Sequence, residues 1–405
     1  MESKIPTSIL AREDRLGAYR EDEARLDMSK IPSGVICVST SPFDRFPTLR
    51  REYLFAEGYS YLGLRGLNSQ NLSVAYLSRV VFSLIEAAHR SVPQARAISD
   101  VLKYLGYEGG IRVAVQMAPV LRAHGSTSDG FNRDFIKSCV YGSFGPSSEG
   151  DFLLRSLAEA PESRIEEVSA AWERTFSFFR AKRMEIEVGE HGVSVTSPDV
   201  RREDILTLLG AGALRLRNVV LHKAGMDRPI MLGEASSGEQ AVLMSLLGIS
   251  SRIRDGALIC IDEPEICLHP EWQEKYIELL YHSFSHFNSC HFVIATHSPQ
   301  IISRLPRGDC FVVAMEDGVA RLASEFSNRS IDFQLAEIFN APGYRNEYLS
   351  RLALNTFSKV SKSKCFDAQS LIDMASLRKS SFNLKSGDPL LDLIRALEKM
   401  VARYA

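Results

Sequence analysis

Between residues 230 and 315, apolar stretches of strand length alternate with helix-length stretches. "ALICIDEPE" (residues 257–265) is a continuous apolar run that stops abruptly at two carboxylates. "PEWQEKYIELLYHSFSHF" then carries a helical pattern, and "HFVIATHS" is a second apolar run. Strand, helix and strand in that order imply a crossover that leaves the two strands parallel. The alternation predicts an α/β sandwich around a mainly parallel core sheet. "SGVICVSTS" and "YSYLGLRG" supply two further strands. Hairpins are expected in "MEIEVGEHGVSVTS" and around Asp317-Gly318. From Leu72 to about Arg122 the pattern reads as mostly helical. So does "SRIEEVSAAWERTFSFFRAKR", where Ser163 and Glu166 have capping-box spacing. Helices dominate again from Ile331 to the end.

Composition narrows the class. With 45% hydrophobic and 24% charged residues, the 405-residue chain has the make-up of a globular protein with room for several lobes. Its net charge of -2 excludes a global pull toward nucleic acid, although residues 345–405 hold eleven Lys/Arg against six Asp/Glu. Seven scattered cysteines without a C-x-x-C pair read as buried free thiols in a reducing, cytoplasmic setting. "MESKIPTSILAREDR" lacks an apolar h-region, and no apolar run has membrane-spanning length.

Three polar features sit at the ends of these elements. Asp262 and Glu263 close a buried strand, where acids need a partner. In nucleotide hydrolysis such a pair serves Mg²⁺ and the attacking water. His297, in "ATHSP", follows a strand at the edge where parallel sheets bind ligands. "SSGEQ" (residues 236–240) opens a helix whose N–H groups and dipole favour an anion, and Gly238 leaves room for one. His282, His286, Cys290 and His291 lie close in sequence but lack a metalloprotease glutamate, so they read as structural.

"SSGEQ", "LICIDEPEICLHPEWQ" and "IATHSP" resemble the signature, Walker B and switch-histidine motifs of ABC-type ATPases. The segment after Glu263 is unlike that of transporters and resembles the OLD/RecF-like group of AAA-family ATPases. "GVICVSTSPFDRFP" and "YSYLGLRG" resemble the ATPase subunit of Septu anti-phage systems (PtuA-like), including those carried by retrons. The resemblance implies ATP and Mg²⁺ as cofactors. Asp262 would serve the metal, Glu263 the attacking water and His297 the γ-phosphate. Ser237, Gly238 and Gln240 would form the signature side facing the opposite protomer, with Gln70 as the Q-loop candidate. It further implies a homodimer or higher homo-oligomer, an HNH endonuclease subunit as partner, a retron reverse transcriptase with its RNA/DNA as a further partner, and no membrane.

One expected element is missing from this pattern. No G-x-x-x-x-G-K-[ST] run, the Walker A loop that cradles phosphates, occurs in the chain. An N-terminally shortened ATPase and a degenerate subunit that supplies only the signature side both account for this. The expected division is therefore a partial N-terminal ATPase lobe (residues 1–90), with its Walker A part incomplete, and a helical insertion (91–183). An ATPase lobe with signature, Walker B and switch histidine (184–330) and a helical C-terminal region (331–405) follow. No Toprim nuclease pattern or Gly-x-Ser-x-Gly elbow is present.

Overall fold

The computed structural model describes residues 31–47, 58–65, 72–124, 130–141, 149–181, 184–226, 228–306, 308, 310–316 and 318–404. Four strands form the expected parallel sheet: β1 (Val35–Ser39), β2 (Tyr59–Gly63), β8 (Leu258–Asp262) and β9 (His291–Ala295), in the order β2-β1-β8-β9. Every pair in it is parallel. β1 and β8 are uninterrupted apolar runs, as strands in the middle of a parallel sheet must be. β9 forms an edge. Among the described residues it pairs only with β8, and its Val293 is 48% exposed.

A second, antiparallel sheet has the order β5-β4-β3-β6-β7. It comprises β3 (Tyr107–Met117), β4 (Met184–Gly189), β5 (Gly192–Val195), β6 (Leu214–Lys223) and β7 (Pro229–Met231). The hairpin expected from residue 184 is β4–β5. β3 departs from the mostly helical reading of residues 72–122 and lies within the expected helical insertion over 91–183. Ile111, Val113, Val115 and Met117 are buried while the residues between them are not, so the segment has the two-residue period of a strand. Its long pairing with β6 makes it the centre of the sheet.

Helices α1 (Leu72–Arg90) and α2 (Val92–Tyr104) pack between the sheets. They touch β3, β4 and β5 on one side and α8 (Ser237–Ser250) on the other. α8 is buried along nearly its whole length because "AVLMSLLGI" has apolar residues on every face. α9 (Pro270–Phe284) crosses over from β8 to β9. Its start is fixed by Pro270 at the first helical position and His269 at the cap.

Short helices α3 (Pro119–Ala123), α4 (Arg133–Tyr141) and α5 (Glu149–Ala158) lead to α6 (Glu162–Ala181) and α7 (Arg202–Gly210). Ser163 lies inside α6, whose first turn is closed by Pro161 C=O, so the expected capping box does not form there. Both sheets and these helices share one apolar core.

Beyond β9, α10 (Pro299–Ser303) leads to the β10 (Phe311–Val313)–β11 (Ala320–Leu322) hairpin expected at Asp317-Gly318. The outward residues of this ribbon include Phe311, Val313 and Leu322, each about half exposed. Helices α11 (Ile331–Glu337), α12 (Glu347–Ser363), α13 (Ala368–Ser381) and α14 (Pro389–Tyr404) enclose a separate apolar cluster. The α/β class, the mainly parallel core sheet and the helical C-terminal region all stand. β1 and β2 share a sheet with β8 and β9.

Candidate functional site

Asp262 is the last residue of β8. It lies in register with Ser39 of β1 and Ala295 of β9, so three strands end together at one edge. The next residue, Glu263, has φ of 45°, a left-handed conformation that a glutamate adopts only at a cost. Its N–H donates to the Ala295 carbonyl at 2.9 Å, extending the β8–β9 ladder by one bond while the chain turns away. The turn aims the Glu263 carboxylate at the end of β9. There it stands 3.9 Å from His297 Nε2. The His297 side chain is 84% exposed, which leaves the imidazole open to a ligand arriving from solvent. Residues 34 apart in sequence are thus brought to one point.

Three further carboxyl groups crowd Asp262. Burial raises its proton affinity first, followed by the charges of Glu263, Asp44 and Glu265, with His297 opposing them. Asp44 was not singled out from "SPFDRFP". It is 4% exposed and lies just beyond β1. Its carboxylate accepts the Tyr61 hydroxyl proton at 2.6 Å and the Phe46 N–H at 3.1 Å. It also pairs with Arg65 at 3.7 Å. Arg65 donates to the Phe46 carbonyl at 2.8 Å, so the loop after β1 is strapped to the end of β2. Asp44→Ala would leave buried donors unpaired and is expected to cost about 2–3 kcal/mol, read as a lower denaturant midpoint. Asp44→Asn, which keeps an acceptor for Tyr61, should lose less.

The segment "SSGEQ" forms the capped start of α8. Ser236 caps α8 in a capping box: its Oγ accepts the Glu239 N–H at 3.3 Å, and Glu239 Oε2 accepts the Ser236 N–H at 3.2 Å. Ser237 is exposed on the first turn. Gly238 is buried, and the space its side chain would need is taken by the chain itself. A Cβ there would stand 3.3 Å from the Cys267 carbonyl oxygen and 3.8 Å from the His269 nitrogen. The glycine lets α8 approach the loop before α9. The Gln240 side chain donates to the Ala235 carbonyl at 2.8 Å and the Gly233 carbonyl at 3.3 Å, holding the turn ahead of the helix. Gln70 lies outside the described residues.

The residues fit a metal ion in one way only. Among the described residues, no group of three or more His, Cys, Asp or Glu side chains could hold one alone. Mg²⁺ arriving with a triphosphate needs only one or two carboxylates, because water and phosphate oxygens complete its shell. Asp262 suits that role, since a cation relieves the crowding of carboxylates around it. Beside it, Thr40 Oγ1 is buried without a hydrogen-bond partner among the described residues. Thr40 and Asp262 line a cavity of about 10 Å³, room for one water.

Because the folded Asp262 binds its proton more tightly than an unfolded one does, its charge weakens the fold. The penalty is absent below the unfolded pKa, grows as pH rises from there to the folded pKa, and is complete above it. Asp262→Asn should therefore raise the Tm of the metal-free chain at neutral pH, by about 2–4 °C for each kcal/mol relieved. The gain should fade in acid.

His282 stacks on Tyr104 with ring centroids 5.1 Å apart, in keeping with a structural role. All seven cysteines are free. Cys37 and Cys139 are buried as expected, but Cys267 and Cys365 are exposed, because they sit in turns and not in the apolar runs. No helix among the described residues is long and apolar enough to cross a membrane.

Residues 151–303 match the family model described as "AAA domain, putative AbiEii toxin, Type IV TA system". The matched segment contains Ser237, Asp262, Glu263 and His297. No curated protein matches the chain. A solved structure from work on ATP-driven dimerisation and DNA-stimulated activation of SMC ATPases aligns at 17% identity and a TM-score of 0.19. The alignment covers 26% of this chain and 62% of that one, a likeness too slight to bear on mechanism.

Proposed function

We propose that this chain is the ATPase subunit of an anti-phage defence complex, a nucleotide-dependent dimer that governs a partner HNH nuclease. The observation that carries the nucleotide part is the meeting of Glu263 and His297 at 3.9 Å, next to Asp262, at the carboxyl ends of parallel strands. In this reading Asp262 holds Mg²⁺ and Glu263 takes a proton from the attacking water. His297 donates a hydrogen bond to the terminal phosphate. Ser237 and the first turn of α8 face the nucleotide of the second protomer. The metal would supply charge neutralisation on the phosphates. The residues of this chain orient the water and hold its proton. The defence role and the nuclease partner rest on the resemblance of "GVICVSTSPFDRFP" and "YSYLGLRG" to Septu ATPase subunits. The helical insertion (residues 91–183) and the basic C-terminal helices are both proposed as partner contacts.

A second reading is favoured by the lack of a Walker A run: a scaffold subunit that keeps the shape but does not hydrolyse ATP by itself. Titration calorimetry with Mg-ATP and light scattering, on the chain alone and with its partner nuclease, separates the two. ATP binding with ATP-dependent doubling of mass supports the enzyme. No binding in either setting, with defence unaffected by Glu263→Gln, overturns it in favour of the scaffold.

A further inference from the structure

Glu265 is the second glutamate of "DEPE", two residues beyond Glu263. Its carboxylate reaches across to the loop after β9. Oε1 accepts the backbone N–H of His297 at 2.5 Å, and Oε2 accepts the Thr296 hydroxyl proton at 2.8 Å. These partners are 32 and 31 residues away in sequence.

The tie continues beyond the carboxylate. Thr296 Oγ1 accepts the Ser298 N–H at 3.0 Å. Ser298 Oγ donates to Gln273 Oε1 of α9 at 2.7 Å and accepts the Ile301 N–H at 3.3 Å, capping α10. The Gln273 amide in turn donates to the Leu268 carbonyl at 2.9 Å. A closed circuit of hydrogen bonds therefore joins the turn after β8, the start of α9 and the loop after β9.

We propose that Glu265 is a positioning residue that fastens the His297 loop to the Glu263 turn, so that the imidazole and the Glu263 carboxylate meet a ligand as one unit. The His297 side chain is 84% exposed and has little packing to hold it, so its place is set through its backbone. A charged acceptor suits this task. A carboxylate takes two donors side by side, and bonds to an ionised acceptor are about twice as strong as neutral ones. Pro264 and the positive φ of Glu263 fix the turn on which Glu265 is mounted. The histidine loop is thereby referenced to β8 twice, by the Glu263 N–H to Ala295 bond and by Glu265.

The geometric part stands on the hydrogen bonds alone, while its consequence for catalysis rests on the ATPase reading above. Both are tested on the full chain. Amide hydrogen exchange is followed at His297 in the wild type, Glu265→Gln and Glu265→Ala, with the amides of Ile259–Ile261 as an internal control. Glu265→Ala should speed exchange at His297 by about tenfold or more, the loss of one charge-assisted bond, and leave β8 unchanged. Glu265→Gln should restore most of the protection. Its amide oxygen takes the His297 N–H, and its NH₂ turns to the Thr296 oxygen. Unchanged exchange at His297 in Glu265→Ala overturns the proposal, as does equal acceleration in β8.

The second measurement is ATP turnover of the complex with its partner nuclease. Glu265→Ala should lower kcat about tenfold with KM for ATP within about twofold, and Glu265→Gln should recover it. A loss in KM alone, or no recovery in Glu265→Gln, counts against positioning. A wild-type complex without turnover fails the ATPase reading, and the exchange result still decides whether Glu265 holds the loop.

Discussion

Exchange of Glu263 for glutamine is expected to lower ATP turnover of the assembled complex by about 10²–10⁴-fold, the usual worth of a general base, while nucleotide affinity changes little. The substitution keeps size and shape but removes the ability to take a proton. It also leaves the fold alone. The Glu263 backbone, not its side chain, bonds the Ala295 carbonyl, and the side chain is partly exposed beside His297. Turnover and affinity should therefore separate. A single-turnover rate that stays at the wild-type level would remove Glu263 from the role of base. A parallel loss of binding would assign it to binding instead. The expected result is a complex that holds ATP and stalls, and under the proposed function a stalled complex should report whether occupancy or hydrolysis governs the partner.

The largest effect on stability is expected at Trp172. It lies on α6 with no exposed surface. Its ring stacks on Phe131 at a centroid distance of 4.8 Å and meets Phe176 at 5.5 Å. Trp172→Ala would empty the contact between α6 and the segment carrying Phe131, at a cost of about 3–5 kcal/mol. That is a large part of the usual stability of a domain. Trp172→Phe keeps the aromatic contact and should lose much less. Since the chain has only two tryptophans, Trp172→Phe also leaves Trp272 as a single fluorescence reporter beside the signature segment, close to where Gly238 packs. Denaturant midpoints of the three forms measure the difference. Equal midpoints for Trp172→Ala and the wild type would mean that this aromatic contact contributes nothing to holding α6.

Most of the parallel core was legible from the chain because its signals are local. β1, β8 and β9 are unbroken apolar runs, and each ends where polar residues begin. Asp262, Glu263 and His297 stand out in the chain because each is a charged or polar group at the end of an apolar run. β3 was equally legible in principle. Its alternation from Ile111 to Met117 is plain, but helices on both sides and the pair Gly109-Gly110 hid it within a stretch that reads as mostly helical. The exposed cysteines show the limit of reading burial from residue type, because Cys267 and Cys365 sit outside the apolar runs and their turns leave them at the surface.

The sequence by itself determined that strands alternate with helices, which acids and histidine stand at strand ends, and that α8 begins with a polar cap. Those properties depend on residues within one or two turns of each other. Only the tertiary structure decided what these residues touch. Gly238 meets the backbone of Cys267, Asp44 gathers Tyr61 and Arg65, and Glu265 grips the loop of His297. Such contacts join residues that the crossovers bring side by side. A hydrogen bond between groups 32 positions apart leaves no periodic trace in the chain, so its existence follows from the register of β8 against β9 and from nothing nearer in sequence.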